Sequence, residues 1–467
     1  AASAREFSAT GHDWSFAPML GVARDMRWGR TYESFSEDSG IVESYSAAMI
    51  RGLQGPSDQS YASPWRVIAT AKNFIGDGGT FRGIDQGDTR LDLATMLELH
   101  GQGYISAIDT GVQTVMASFN SWNRDKIHGN RLLLTEVLKE QLGFDGFVIG
   151  GWNGHGEVQG CSNASCPRAI KAGVDMLMAP KDWKALITNT LEQVHSGLIP
   201  ETRINDAVRR ILRVKVRAGI FERGLPSSRF GGDRVGVLGS KQHREIARES
   251  VRKSLVMLKN SNATLPIKIA RKVLVAGDGA NSIPKQIGGW TKARQGRETT
   301  NEDFPNATSI YAGLKRAIEA TGGSVELAKK DQWERKPDVA IVVFGENPYA
   351  EETGDLDHLA FKDPDRTNAA LLSKLQIEGV PIVSVFLTGR PLFLNHLIQQ
   401  SDAFVVAWLP GTEGGGIADV LVADRSGKPK FDFVGKLPFP WPNAPVNKYH
   451  SDLPVSSHLF NRGYGLK

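Results

Sequence analysis

The 467-residue chain carries 56 Lys and Arg against 51 Asp and Glu, a formal charge of +5, and 40% of its residues are hydrophobic. Positive and negative side chains interleave along most of its length, which makes a mildly basic solvated surface and argues against nucleic acid or a membrane as partner. No run of about 18 apolar residues occurs, so no membrane-spanning helix is expected, and the length fits two domains, one of which can be an α/β barrel.

The chain opens Ala1-Ala2-Ser3-Ala4 without an apolar leader. That leaves export of a longer precursor open, and a periplasmic or secreted location follows only if such a precursor carries a signal peptide. Segments 13–20, 67–76, 112–120, 146–152 and 173–179 read as short buried strands, and 131–141 and 204–218 as helices. In the last of these, Ile204, Ala207, Ile211, Val214 and Val216 recur with Arg209, Arg210 and Arg213 between them. An outer barrel helix accounts for this pattern with fewer assumptions than a nucleic-acid-binding helix does.

Two cysteines, Cys161 and Cys166, rule out a disulfide scaffold or a four-cysteine zinc site. A local disulfide and a pair of free thiols both stay open. A Gly-, Pro- and Ser-rich stretch, 224–239, marks a linker, giving domains 1–223 and 241–467 joined by 224–240. Beyond it, 273–278, 339–345, 380–389 and 403–411 read as strands, with helical patterns such as 312–320 between them. That alternation predicts a parallel sheet covered on both faces. Residues 273–281 resemble the start of a nucleotide-binding turn but lack its third glycine and an acidic ribose partner, so a strand ending in a turn is the reading. Asp355, Asp357 and His358 lack a second ligand group at suitable spacing and read as a surface turn; no metal is expected.

Six segments carry a resemblance. They are Arg24-Asp25-Met26-Arg27-Trp28-Gly29-Arg30 and its continuation to 34, Ala71-Lys72-Asn73-Phe74-Ile75-Gly76-Asp77-Gly78-Gly79-Thr80, Ser118-Phe119-Asn120-Ser121-Trp122-Asn123, Gly288-Gly289-Trp290-Thr291, Gly345-Glu346-Asn347-Pro348-Tyr349-Ala350-Glu351, and Phe460-Asn461-Arg462-Gly463-Tyr464-Gly465-Leu466. In this order they resemble glycoside hydrolase family three, of the two-domain exo-β-glucanase and β-glucosidase type. The resemblance implies an α/β protein with a (β/α)8-like TIM barrel followed by an α/β/α sandwich. It also implies release of glucose from nonreducing ends of β-glucans or β-glucosides without a cofactor.

Five candidate strands stand where the family's barrel has about eight. The first three β/α units are therefore expected to be absent, leaving a partial barrel, and an incomplete sequence or truncated gene product explains this better than a rearranged barrel. Family members also take a sugar-binding aspartate from that part. An open barrel should be poorly stable unless something covers its edges.

Retaining glycosidases use two carboxyl groups about 5 to 5.5 Å apart, one as nucleophile and one as acid/base. The family's nucleophile is the aspartate just before a tryptophan at the end of a barrel strand. Aligning on Trp152 puts Gly151 in that place. Asp145 lies at the start of the same strand and Glu157 beyond its end, so both are poor substitutes. Loss of several orders of magnitude in rate is expected.

Glu351 matches the family's acid/base, which the second domain presents toward the barrel mouth, and Glu352 is the next candidate. Arg24 and Lys72 match a cationic pair that binds hydroxyls of the terminal glucose, while Asp25, Arg27 and Arg30 could equally be loop-holding salt-bridge residues. Asn73 replaces a histidine, keeping hydrogen bonding but not charge. Trp152 and Trp290 offer flat faces to sugar rings, with core packing as the competing role. Arg294 stands where some members have a second tryptophan that clamps the next sugar.

Three functions follow. One is an impaired β-glucosidase or exo-β-glucanase acting on β-linked glucose oligosaccharides or glucosides. The second is a catalytically dead carbohydrate-binding or interaction protein. The third is a nucleophile-less enzyme whose vacant slot accepts azide, formate or an α-glycosyl fluoride. Linkage preference and oligomeric state are not encoded in any recognisable motif.

Overall fold

Parallel strands cannot be joined by tight turns, so a parallel sheet obliges the chain to travel through helical crossovers. The computed structural model describes residues 1–56, 63–229, 235–329, 331–363, 366–445 and 457–467. It divides into two compact units, Ala1–Gly239 and Ser240–Lys467.

In the first unit, β1 (Thr70–Phe74), β2 (Thr114–Ala117), β3 (Phe147–Trp152) and β4 (Met176–Met178) form one parallel sheet in sequence order. Segment 13–20, expected as a strand, runs along β1 and the residues before it with parallel bridges at Trp14 with Ile68 and Met19 with Lys72 and bonds such as Thr70 N–H to Ala17 C=O at 2.9 Å, rather than as a continuous strand. Pro18 lies between the bridges and brings no N–H, which interrupts the ladder. Helix Ser39–Gln54 leads to β1. It starts because Asp38 accepts from the N–H groups of Gly40 and Ile41, and it stops at Gly55, whose φ is 91°. Its inward face is Val42, Ser46, Ile50, Leu53 and Gln54. The buried Gln54 amide satisfies Ala69 N–H, Gln113 N–H and Gly111 C=O at 3.0, 3.1 and 3.0 Å, tying the starts of β1 and β2 together.

The pleat splits the core. Val148 joins the large cluster containing Val42, Phe74, Tyr104 and Val115, whereas Phe147 and Ile149 join Ile68, Met116 and the helix residues Val214 and Ala218. That helix, Glu201–Arg217, spends its basic residues inside the unit. Arg210 donates to Phe144 C=O and Gly146 C=O, Arg213 to Asp145 C=O, and Arg217 pairs with the Asp145 carboxylate at 2.7 Å. Cys161 and Cys166 form a disulfide, which decides between the two alternatives the spacing left open. Of the expected linker, 230–234 lie outside the described residues, while Arg229 pairs with Asp13 at 2.7 Å and so fastens the part before them to the first unit.

The second unit is built on β5 (Val256–Asn260), β6 (Lys272–Ala276), β7 (Ser324–Leu327), β8 (Val339–Gly345), β9 (Ile382–Leu387) and β10 (Ala403–Trp408). Their order in the sheet is β7-β6-β8-β9-β10-β5, all parallel except β5. Helices Ile310–Glu319 and Gly415–Leu421 bury Leu314, Ile318 and Ile417 with Val273, Val275, Ile341 and Val343. Helix Thr367–Ile377 buries Leu371, Leu372 and Leu375 beside β8 and β9.

One buried charge in the first unit anchors β3. The Asp175 carboxylate is fully buried and accepts from Val148 N–H at 2.8 Å, from Lys139 Nζ at 2.8 Å and from Arg203 Nη2. Burial pulls the Lys139 ammonium down to about 8, against the pull of Asp175. Asp175→Asn would leave Lys139 and Arg203 with only the half-exposed Asp206 as anion and would weaken the bond to Val148 N–H, so it is expected to cost about 3 kcal/mol in urea unfolding. A loss below about 1 kcal/mol would show that β3 does not depend on this network.

Candidate functional site

Both units place chemistry at the carboxyl ends of parallel strands, where side chains from successive loops converge. In the first unit Lys72 and Asn73 lie on β1, Phe119 follows β2, Gly151 and Trp152 close β3, and Arg24 follows segment 13–20. Lys72 Nζ lies 3.8 Å from Glu33, whose carboxylate also takes Arg30 in a two-pronged contact at 2.7 and 2.9 Å. Arg24 donates from its backbone to Gly78 C=O at 2.7 Å and from its guanidinium to Glu37 C=O at 3.0 Å. Asp25 and Arg27 form a buried ion pair of their own. Asn73 is buried and gives its amide to Asp77 Oδ2 at 3.0 Å.

Gly151 donates its N–H to His128 Nε2 at 2.9 Å. Burial, with His155 and Lys126 adding to it, holds His128 down at about 3, so the neutral ring can accept that bond. The space beside Gly151 is filled. A Cβ built there would lie 2.5 and 2.6 Å from ring carbons of Phe119. Trp152 next to it is 63% exposed, so the ring is available to a ligand. Of the nearby carboxylates, Asp145 sits at the other end of β3, roughly 20 Å of extended chain away, and is paired with Arg217. Glu157 is held by Lys126 at 2.8 Å.

In the second unit the chain leaves β6 for β7 on one side and returns to β8 on the other, which opens a crevice at the carboxyl ends of β6 and β8. Gly277, at φ 90°, permits this close approach, because a Cβ there would lie 2.3 Å from Val343 C=O. The loop after β6 carries Trp290 and Arg294, and the loop after β8 carries Glu351. Gln295 sews the two together, accepting from Ala350 N–H at 2.7 Å and donating to Glu351 C=O at 3.3 Å. Arg297 adds a bond to Pro348 C=O at 2.9 Å.

As a result Arg294 spans Glu351 at 3.2 Å and Glu352 at 3.6 Å, with the Glu351 side chain 13% exposed and that of Glu352 62%. Trp290, in the left-handed region at φ 52°, is half exposed and bonds through its N–H to Arg294 C=O at 2.8 Å. Beneath, fully buried Arg390 reaches Tyr349 OH at 3.1 Å and Gly354 C=O, and Glu346 accepts from Tyr349, Thr388 and Gly389.

The structure thus brings Arg24, Lys72, Asn73, Gly151 and Trp152 to one edge of the first sheet, and Trp290, Arg294 and Glu351 to one crevice of the second. The supporting residues His128, Gln295 and Arg390 carried no role in the sequence analysis. Arg390 had a signal, standing directly after the run 380–389 where a crevice residue belongs. Gln295 had none. Among the described residues no three His, Cys, Asp or Glu side chains cluster as metal ligands.

Two α/β units in succession, each with polar and aromatic residues at the carboxyl ends of its parallel strands, fit a two-domain glycoside hydrolase, and the family matches show that class. The chain belongs to glycosyl hydrolase family 3, matching its N-terminal domain over residues 1–214 and its C-terminal domain over 255–467. It is similar to the exo-1,3/1,4-β-glucanase of a Pseudoalteromonas species, with 51% identity and a TM-score of 0.98, covering 100% of this chain and 58% of that one. It is 30% identical to a lysosomal β-glucosidase of Dictyostelium discoideum over 99% of this chain and 59% of the relative. It also superimposes on a D270A mutant β-glucosidase from Listeria innocua in complex with laminaribiose, with a TM-score of 0.84 and 25% identity, covering 100% of this chain and 67% of that one. The chain therefore spans less than two thirds of the first two relatives.

Asp77, the partner of Asn73, sets a pH dependence. Burial raises its carboxyl from 3.8 to about 6, with Arg30 and the Asn73 amide pulling the other way and Asp85 adding to the rise. The folded state then holds the proton more tightly than the unfolded state does. The stability this gives is complete below pH 3.8 and is lost as pH rises through about 6. Asp77→Asn is expected to remove that slope, so wild-type stability should fall relative to the variant by about 2 to 3 kcal/mol between pH 4 and 7 in denaturant titrations. Parallel curves would refute the assignment.

Proposed function

We propose that the chain is by descent a retaining glycoside hydrolase that takes glucose from nonreducing ends of β-glucans or β-glucosides, in a form whose catalysis is impaired. In this reading the parallel sheet of the first unit is part of a (β/α)8-like barrel, and the second unit is an α/β/α sandwich carrying the acid/base. The observation that carries the reading is Gly151, which ends β3 directly before the exposed Trp152 and offers no carboxylate.

A retaining mechanism needs one carboxylate to attack C1 of the sugar while a carboxylic acid protonates the departing oxygen. Glu351 is the residue for the second role, buried enough to be shielded and held by Gln295 through its backbone. The first role has no side chain at 151. Attack on C1 then falls to water without a covalent intermediate, and removal of such a group typically costs several orders of magnitude. Arg24 and Lys72 are the proposed hydroxyl-binding cations. Asn73, given over to Asp77, acts on the sugar less directly. Arg294 replaces an aromatic face by a guanidinium bound to two carboxylates. No cofactor enters this chemistry.

The second reading, a saccharide-binding protein without turnover, is favoured by the exposed rings of Trp152 and Trp290. Incubation with 2,4-dinitrophenyl 2-deoxy-2-fluoro-β-glucoside, read by intact-mass spectrometry, separates these from an active enzyme. The expected result is no glycosyl adduct, together with slow but Glu351-dependent release of phenol from a plain aryl β-glucoside. An adduct on any Asp or Glu would overturn the impaired-hydrolase reading. Laminaribiose binding with no release, unaltered by Glu351→Gln, would favour the binding protein.

A further inference from the structure

A glycine in place of an aspartate suggests a hole, yet the packing beside Gly151 is tight. The Cβ position of residue 151 lies 2.5, 2.6 and 3.2 Å from Cζ, Cε2 and Cε1 of Phe119, where carbon atoms in ordinary contact stay about 3.5 to 4 Å apart. The ring therefore occupies the volume that a side chain at 151 would need for its first carbon. It arrives from the next strand over, since β2 pairs with β3 and Phe119 lies two residues past the end of β2.

The surroundings hold it there. Ser118 N–H donates to Phe74 C=O at 2.7 Å, and Lys126 Nζ donates to Phe119 C=O at 2.7 Å while pairing with Glu157 at 2.8 Å. The ring also lies 5.5 Å from the buried His128 imidazole, centroid to centroid, and His128 is the acceptor for Gly151 N–H. Only the tip of a side chain blocks the space, so a change in the Phe119 rotamer, with no backbone shift, would clear it.

We propose that Phe119 is a plug in the nucleophile position, closing against small anions and α-configured donors a slot that the sequence suggests is open. This deepens the reading above and rests on Gly151 standing where the nucleophile belongs. It identifies Phe119 as the residue that sets whether an external nucleophile reaches the α face of the sugar. In the reaction concerned, azide forms a bond to C1 of 2,4-dinitrophenyl β-glucoside as the C1–O bond breaks. Dinitrophenolate leaves with the electron pair, needing no proton, and α-glucosyl azide is the product.

Two measurements test the plug separately from the catalytic reading. In the first, Gly151→Ala is made in the native chain and in Phe119→Ala, with Phe119→Leu as a milder background should the alanine variant fold poorly. The methyl group should lower Tm by a few degrees in the native chain and by less than about 1 °C once the ring is gone. Equal shifts in both backgrounds would overturn the plug. In the second, azide at high concentration should leave release of dinitrophenol by the native chain within about twofold, and raise it at least about tenfold in the Phe119 variants, with α-glucosyl azide formed. Equal rescue of both proteins would also overturn the plug. Coupled Tm shifts with no rescue in any variant would show that Phe119 packs on residue 151 but would overturn the plug as a gate to the nucleophile position, together with the assignment of Gly151 to that position.

Discussion

Parallel pairing is the constraint on which the rest of this molecule depends. Within each sheet the strands, β5 excepted, run in one direction, so the carboxyl ends in each sheet face one edge of that sheet and the helices must cover its faces. Loops at that edge carry the chain from each strand into its crossover helix over the surface, where they can bear polar side chains without breaking the core. This is why Lys72, Asn73, Phe119, Gly151 and Trp152, which span 81 positions of sequence (72 to 152), meet at one edge. The same logic puts Trp290, Arg294 and Glu351 together where strand order reverses between β6 and β8.

Charge at these edges is already paired inside the chain. Arg30 and Lys72 share Glu33, Arg24 bonds to the Glu37 backbone, and Arg294 bridges Glu351 and Glu352. Buried or half-buried cations need such partners, since desolvating one alone costs more than a typical fold can spare. A polar ligand entering the first edge must share or displace these contacts. At the second edge Arg294 places an ion pair on the more buried of the two carboxylates, Glu351.

The strands and the residues at their ends were legible in the sequence because short β-branched and apolar runs flanked by Gly-rich turns leave few other readings. The runs 339–345 and 403–411 became β8 and β10, and helix 204–218 became Glu201–Arg217. Segment 13–20 was less regular than its apolar content suggested, because Pro18 contributes no N–H to the ladder. The residues that steady the site were hidden for a different reason. Gln295 and His128 act through backbone contacts with Ala350, Glu351 and Gly151, and a side chain bonded to a distant backbone leaves no periodic mark. The Asn73 to Asp77 bond was within reach of the sequence, four residues apart on one quoted segment, but nothing in the residue types says that the amide turns inward.

Gly151 illustrates the difference between a missing functional group and a missing volume. Interiors are packed at crystal-like density, so a side chain deleted at a crowded position leaves a cavity that its surroundings fill only in part, unless a neighbouring side chain can swing into the gap. The cost of leaving a cavity scales with its size, whereas rotating a partly buried phenyl ring costs little if it reaches another staggered rotamer. Phe119 has the reach, and rotation of its ring about the side-chain bonds leaves the Lys126 bond to its backbone in place. The consequence is chemical as much as structural. A glycine that is merely small leaves room for an entering group, but a glycine under an aromatic ring faces hydrocarbon, where an anion is poorly stabilised.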